Sequence, residues 1–332
     1  MPLITPVAIL GTGHYVPPQI ITSAALDAEL GYPTGHIEAM SGVVARHVTD
    51  LDENAAQMAA KAAQKALAAA GLTLHDIDCL VAASATMDQG MPCNAALVHE
   101  ALGLQGTGIP AFDINASCLG FLAALDNVRF SIAAGRYKRV LIVASDVASC
   151  GLNWKRLEES AIFGDGAAAA VLGPAAHESS ILACHLHTYS EGVHYCEIPA
   201  GGSRYHPTRI DQEFSPLTKF KMDGKAVFRL SANLFEDFLA KLLDDAECSL
   251  EDIDWIIPHQ ASQLGLHHMA KRLAIPDHKI VNIFAQYGNQ VSASLPTVLD
   301  VALRTRSIAR GAKLLLLGTG AGLSLGGAVL VY

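Results

Sequence analysis

The chain has 332 residues, 51% of them apolar and 17% charged, so it can bury a large core and is no disordered tail. Its formal net charge of −9 argues against general nucleic-acid binding, which needs a basic surface. Seven cysteines, an odd number without a CxxC pair or a Cys/His cluster, read as reduced thiols of a cytoplasmic protein rather than disulfides or a metal site.

The N-terminus, MPLITPVAILGTG, has no basic start of a signal peptide; the first Lys or Arg is Arg46. "GTG" (11–13) hints at a dinucleotide loop, but the third glycine is missing and Pro17–Pro18 forbid the helix that should follow. Glu53–Ala70 is Ala-rich and stops at Gly71, which predicts a helix. "CLVAAS" (79–84) and "RVLIVAS" (139–145) are continuous apolar runs, the pattern of strands in a sheet covered on both faces. Between them, "DINASCLGFLAAL" (113–125) leads from a strand through small residues and Cys118 into an apolar helix. A thiol at a helix N-terminus should have a lowered pKa, because unpaired N–H groups and the helix dipole favour the thiolate.

"GDG" (164–166) reads as a turn between strands. Ala226–Leu243 places Val227, Leu230, Leu234, Phe238 and Leu242 on one helical face. "WIIP" (255–258) is a strand that runs into His259. "YGNQVSAS" (287–294) sets Asn289 in a loop before a helix headed by Ser294. The uncharged stretch 314–332 is cut by glycines at 318, 320, 322, 326 and 327 and reads as two buried strands around a tight loop, not as a membrane span.

Some of these segments repeat. "LTLHDIDCLVAASA" (72–85) matches "CSLEDIDWIIPHQA" (248–261), and "SIAAG" (131–135) matches "SIARG" (307–311), both at an offset of 176 residues. The chain therefore reads as two related α/β halves, 1–174 and 175–332, packed into a five-layered α/β/α/β/α arrangement. The same offset pairs His259 with Ala83 and Cys118 with Ser294, so the two reactive side chains hold different repeat positions in opposite halves. A pseudo-twofold axis could bring both to one cleft.

Residues 113–120, 258–261 and 287–294 together resemble the β-ketoacyl–acyl-carrier-protein synthase III group of thiolase-fold condensing enzymes, as do "GTGHYVP", "IFGDGAAAAVL" (162–172) and the Gly-rich C-terminus. The resemblance covers essentially the whole chain. It implies that Cys118 carries an acyl group, and that His259 and Asn289 stabilise the enolate formed when a malonyl–acyl-carrier thioester loses carbon dioxide. It further implies a Claisen condensation giving a β-ketoacyl thioester, in fatty-acid or secondary-metabolite synthesis. The oxyanion donors would be the backbone N–H groups of Cys118 and Ala321. Gly224, Phe228, Arg229, Lys271 and Arg272 match positions near the mouth of the family's substrate tunnel, and Ser262 is expected to join them in substrate or carrier binding. Met91, in "TMDQGMPCNAALV" (86–98), is expected at a homodimer interface, reaching the neighbour's tunnel. Acyl-CoA and acyl-carrier protein are expected as substrates, with no cofactor, metal, nucleic acid or membrane. A condensing-fold acyltransferase that moves an acyl group to an alcohol or amine would use the same Cys and His. His36 and Met40 stand where the family carries a Trp and an Arg that clamp the CoA adenine, and Ser262 and Leu264 where it often carries Asn and Arg. A donor other than acetyl-CoA is therefore expected.

Overall fold

The computed structural model describes residues 4–175 and 179–332. The expected junction of the two halves includes residues 176–178, which lie outside the described residues. One sheet has five strands, β1 (Val7–Tyr15), β2 (Cys79–Ala82), β3 (Ala111–Asp113), β4 (Val140–Asp146) and β5 (Gly166–Pro174), in the order β1-β5-β4-β2-β3. The other has four, β6 (Ser180–Thr188), β7 (Trp255–Pro258), β8 (Lys313–Gly320) and β9 (Ser324–Val331), in the order β7-β8-β9-β6. Both sheets share one pattern. β1/β5 and β5/β4 are antiparallel like β6/β9 and β9/β8, and β4/β2 is parallel like β8/β7. A lone parallel bridge between Ile256 and Ile280 stands where β3 would be repeated.

Helices cover and separate the sheets, among them α1 (Ala55–Ala70), α2 (Asn94–Ala101), α3 (Gly120–Ala133), α4 (Gly224–Asp245), α5 (Gln263–Arg272) and α6 (Ser294–Thr305). Alternation along β4 shows the layering. Leu141 and Val143 pack outward against α1 and α2, while Ile142 and Ala144 point inward to α3 and α6. On the second sheet, Leu315 and Leu317 face α4 and α5, and Leu314 and Leu316 face inward. The result is five layers with α3 and α6 buried between two sheets, the arrangement expected from the repeat.

The local chemistry explains the element ends. Asn54 caps α1 through the Gln57 N–H at 2.9 Å, Gln57 answers at 3.0 Å, and Gly71 closes the helix at φ 66°. The GTG glycines serve this helix. A Cβ on Gly11 or Gly13 would lie 2.5 Å from α1 backbone atoms at Ala66 or Ala70, so β1 accepts the helix only with glycine there.

The repeat needs one correction. The offset of 176 holds at β2 and β7, but at the heads of α3 and α6 it is 174. Ser117 and Val291 share a left-handed backbone, with φ of 52° and 53°. Their N–H groups donate to Asn115 Oδ1 and Asn289 Oδ1, both at 2.8 Å. Cys118 therefore corresponds to Ser292, not Ser294. The second half has two residues fewer before its central helix and two more after it, and the slips cancel by Gly135 and Gly311, both left-handed.

Candidate active site

Cys118 sits in the turn between β3 and α3. That turn can approach the end of β2 because residue 120 is glycine, whose Cβ would fall 2.1 Å from the Ala83 carbonyl oxygen. Across from it, β8 ends at Gly320 and the chain turns back into β9. The backbone N–H groups of Ala321 and of Cys118 itself both favour charge on the Cys118 sulfur. They do not win. Burial raises this thiol most, the Asp146 charge adds to it, and the group is pushed up to about 12. Cys196 also faces it and acts in the same upward sense. The lowered pKa expected for a thiol at a helix head is thus reversed: Cys118 rests as a thiol, because desolvation outweighs two N–H dipoles.

His259 follows β7, with its N–H on the Leu317 carbonyl at 2.7 Å. Gly318 joins it to the cysteine turn. A Cβ on Gly318 would lie 2.9 Å from Leu119 and 3.0 Å from His259 Cβ, so this strand end is flanked by the residue after Cys118 on one side and by the histidine on the other. His259 is 4% exposed, and burial lowers its pKa to about 4, which keeps the ring neutral at physiological pH. Its Nδ1 has no partner among the described residues. Gln260, 1% exposed, fixes the loop: its N–H donates to Ser294 Oγ at 2.9 Å, its Nε2 to the Pro258 carbonyl at 2.9 Å, and its Oε1 accepts from the Ile283 N–H at 3.0 Å.

Asn289 closes the group. Its Nδ2 lies 3.5 Å from the carbonyl of Ala261, two residues past His259. Its backbone is held on both sides, by its N–H on the Ile162 carbonyl at 2.7 Å and by the Gly164 N–H on its own carbonyl at 3.1 Å. This explains the GDG segment, which is a cradle rather than a turn between strands. Gly164 and Gly166 are glycines because a Cβ would meet the Tyr287 carbonyl oxygen at 2.4 Å or Gln290 Nε2 at 2.1 Å. Asp165 between them is fully buried and accepts the Thr49 N–H at 3.0 Å and the Ser149 N–H at 2.9 Å.

The sequence reading missed a further buried carboxylate. Asp146 Oδ1 accepts from the Ala85 N–H (3.0 Å), the Thr86 N–H (2.7 Å) and Thr86 Oγ1 (2.9 Å). Its Oδ2 accepts from the Ser292 N–H (3.0 Å), Ser292 Oγ and the Ala293 N–H (3.3 Å). Burial raises its pKa, while Ser292, Thr86 and the N–H of Ala85 oppose this. Six donor groups converge on it: four N–H groups that favour the carboxylate, and two hydroxyls that can donate or accept. The signal in the sequence was an acid closing an otherwise apolar strand, VLIVASD.

The remaining candidates fall on α4, on α5 with its cap, and on the loop before α2. Gly224 and Phe228 are in the first turns of α4, and Phe228 packs edge-on against His268 of α5 at 4.7 Å. Ser262 caps α5 through the Gly265 N–H at 3.0 Å. Arg229 and Lys271 are exposed, whereas Arg272 is paired with Glu236 at 2.6 Å. Met91 stands 85% exposed on the loop before α2. Met40 and Leu264 are exposed apolar residues, and His36 stacks on Tyr32 at 4.7 Å, a ring pair the sequence did not suggest. Among the described residues no helix is long and apolar enough to cross a membrane, and no group of three acidic, His or Cys side chains could hold a metal.

A five-layered αβαβα core with a cysteine at the head of one central helix is the thiolase-type fold. The 3-oxoacyl-(acyl carrier protein) synthase III of Pseudomonas aeruginosa superposes with a TM-score of 0.87 at 32% identity over 98% of both chains, and that of Aquifex aeolicus with 0.87 at 28% over 98% of this chain and 100% of its own. A family model described as 3-oxoacyl-[acyl-carrier-protein (ACP)] synthase III matches residues 112–190, and one for the C terminal part of such enzymes matches 243–332. The β-ketoacyl-[acyl-carrier-protein] synthase III of Chlamydia muridarum is 35% identical over 97% of this chain and 98% of its own, and that of Clostridioides difficile 32% over 99% of each. The chain belongs to the 3-oxoacyl-[acyl-carrier-protein] synthase III family.

Proposed function

We propose that this protein takes an acyl group onto Cys118 and condenses it with malonyl–acyl-carrier protein to give a β-ketoacyl thioester. The observation that carries the proposal is the pair of backbone N–H groups, from Ala321 and Cys118, that favour charge on a half-buried thiol, with a neutral His259 across Gly318 and the Asn289 amide at the His259 loop. In the first half-reaction the Cys118 sulfur bonds to the acyl carbonyl carbon. The negative oxygen that forms is held by those two N–H groups, and the donor's thiol leaves with the proton Cys118 gives up. In the second, the malonyl thioester loses carbon dioxide, and the electron pair of the broken C–C bond moves onto the thioester oxygen as an enolate. His259 Nε2–H and the Asn289 amide donate to that oxygen. Both are neutral, which suits a dry site where an added cation would itself need compensation. The enolate carbon attacks the acyl-Cys118 carbonyl, the C–S bond breaks, and the thiolate that leaves takes up a proton from solvent, the original one having gone out with the donor's thiol.

The donor is one other than acetyl-CoA held in the family's usual way. Met40 and Leu264 offer no charge to a nucleotide phosphate, and Glu236 already engages Arg272. Arg229 and Lys271 remain as cations on α4 and α5 for an acidic carrier protein. The assembly is a homodimer, with the exposed Met91 loop in the interface. The test is intact-mass analysis of the protein with acetyl and medium-chain donors on CoA and on carrier protein, followed by carbon dioxide release from malonyl–carrier protein. The expected result is acyl mass on Cys118, a medium-chain or carrier-borne donor ahead of acetyl-CoA, and release that depends on His259 and Asn289. Acyl mass on another cysteine with Cys118 unmodified would sink the assignment.

A further inference from the structure

Asp146 does nothing in that chemistry directly, yet it is the most heavily hydrogen-bonded side chain near it. Its place in the repeat is informative. Val140 pairs with Cys79 at the start of β4, as Leu314 pairs with Trp255 at the start of β8. Both strands end on the last rung with their antiparallel neighbour, Asp146 opposite Gly166 and Gly320 opposite Ser324. Asp146 thus holds the position that Gly320 holds at the active site. There a side chain would be tight: a Cβ on Gly320 would come 3.2 Å from Leu119 and 3.4 Å from the Ala116 carbonyl oxygen, close against the cysteine turn.

The same correspondence sets Ser292 in the place of Cys118, Ala83 in that of His259, and Asn115 in that of Asn289. The pseudo-twofold copy of the active site therefore has serine for its thiol and alanine for its histidine. Its space is filled by the Asp146 carboxylate, which takes the N–H and hydroxyl of Ser292 on one oxygen and the Ala85–Thr86 loop on the other. That loop belongs to the first half. It begins at Ala83, whose carbonyl oxygen lies against Gly120, two residues past Cys118. The turn on the other side belongs to the second half and carries Asn289, whose Oδ1 is held by the N–H of Val291, next to Ser292.

We propose that Asp146 is a positioning residue for the condensation: it plugs the degenerate copy of the active site and ties the Asn289 turn to the half that carries Cys118. The amide of Asn289 is aimed by the turn it caps, and that turn is pinned by Asp146. Six donors stabilise the carboxylate where it lies, while its charge still reaches the Cys118 sulfur. The inference rests on Asn289 acting as an enolate donor.

The experiment measures the two half-reactions of the full-length protein separately in Asp146→Asn, Ser292→Ala and Asn289→Ala. Asp146→Asn keeps the shape but removes the charge and turns an amide N–H toward donors. The expected result is malonyl decarboxylation down by at least about tenfold, part of the loss known for a removed oxyanion donor, with self-acylation retained. Ser292→Ala should shift the same ratio in the same direction and less. Iodoacetamide alkylation of Cys118 should rise about tenfold per pH unit without a plateau up to about pH 9 in the wild type, and its curve should move to lower pH in Asp146→Asn, where the charge that raises the thiol is gone; an opened site would hydrate Cys118 to the same effect, so the split between the two half-reactions is what separates positioning from a structural lesion. Equal loss in both half-reactions, or no loss in either, overturns the positioning role. If Asp146→Asn does not fold, Ser292→Ala alone decides, by the same criteria. If Asn289→Ala leaves decarboxylation intact, it is the enolate reading that fails; if Asn289→Ala loses it and Asp146→Asn does not, only the positioning role fails.

Discussion

Asn115 and Asn289 cap their turns alike, each accepting at 2.8 Å from the N–H two residues on, and each turn passes through a left-handed residue before a central helix. Their surroundings differ completely. Asn115 stands in solvent, while Asn289 is 5% exposed and gripped by the Ile162–Gly164 segment. One duplicated piece of backbone thus presents a thiol in one half and a buried amide in the other, and burial and neighbours, not backbone shape, set the two asparagines apart.

The sharpest way to break this contrast is to move the thiol. Cys118→Ala should abolish self-acylation. Adding Ser292→Cys in that background should not restore it, because Asp146 covers position 292 and no N–H pair like that of Ala321 and Cys118 is aimed there. Intact mass reads the outcome, and acyl mass on residue 292 would show that the turn alone suffices. The next largest effect compares the asparagines. Asn289→Ala should slow malonyl decarboxylation roughly 100- to 1000-fold, the loss of about 2.7–4 kcal/mol seen when an oxyanion donor is removed. Asn115→Ala should cost about 1 kcal/mol of stability through its lost turn bond and leave decarboxylation in place. Equal kinetic loss from both would erase the distinction.

A smaller effect separates His259 from its counterpart Ala83. The histidine has a folded-state pKa of about 4, below its unfolded value of about 6.5. The unfolded chain therefore binds a proton first as pH falls, so stability is present above pH 6.5 and is lost as pH drops through that window. Between about pH 7 and pH 5 the wild type should lose about 2 kcal/mol more than His259→Ala. Denaturant midpoints at the two pH values measure it, and parallel losses would place the acid sensitivity elsewhere.

Much of this was legible in the residues. The helix over 53–70 appears as 55–70, WIIP is a strand, and the glycine-cut C-terminus is two antiparallel strands. Those segments carry strong periodicity and clear stop signals. Cys118, His259 and Asn289 were named through a family resemblance; the structure sets Leu119, next to Cys118, and His259 on either side of Gly318 in β8, and brings Asn289 to the carbonyl of Ala261. What escaped were properties of packing. An ungapped offset cannot see two slips that cancel, so Cys118 was matched to Ser294 in place of Ser292. A thiol at a helix head looks activated until the burial around it is known. Asp146, Asp165 and Gln260 draw their partners from segments far away in sequence, and short acids beside small residues look like ordinary caps. The pairing of Arg272 with Glu236 joins two helices whose approach no local pattern encodes.

The Ala321 N–H has a consequence for how this protein tolerates change. The group that faces the Cys118 sulfur from the second half belongs to the peptide, not to a side chain. An alanine scan passes over position 321 without a mark, and drift among small residues there leaves the donor in place. Selection can act on it only through the shape of the loop, by way of neighbours such as Gly322, held at φ 85°, and Leu323 at 48°. Replacing the peptide link by an ester in a semisynthetic chain would take out this one hydrogen while leaving every side chain as it is.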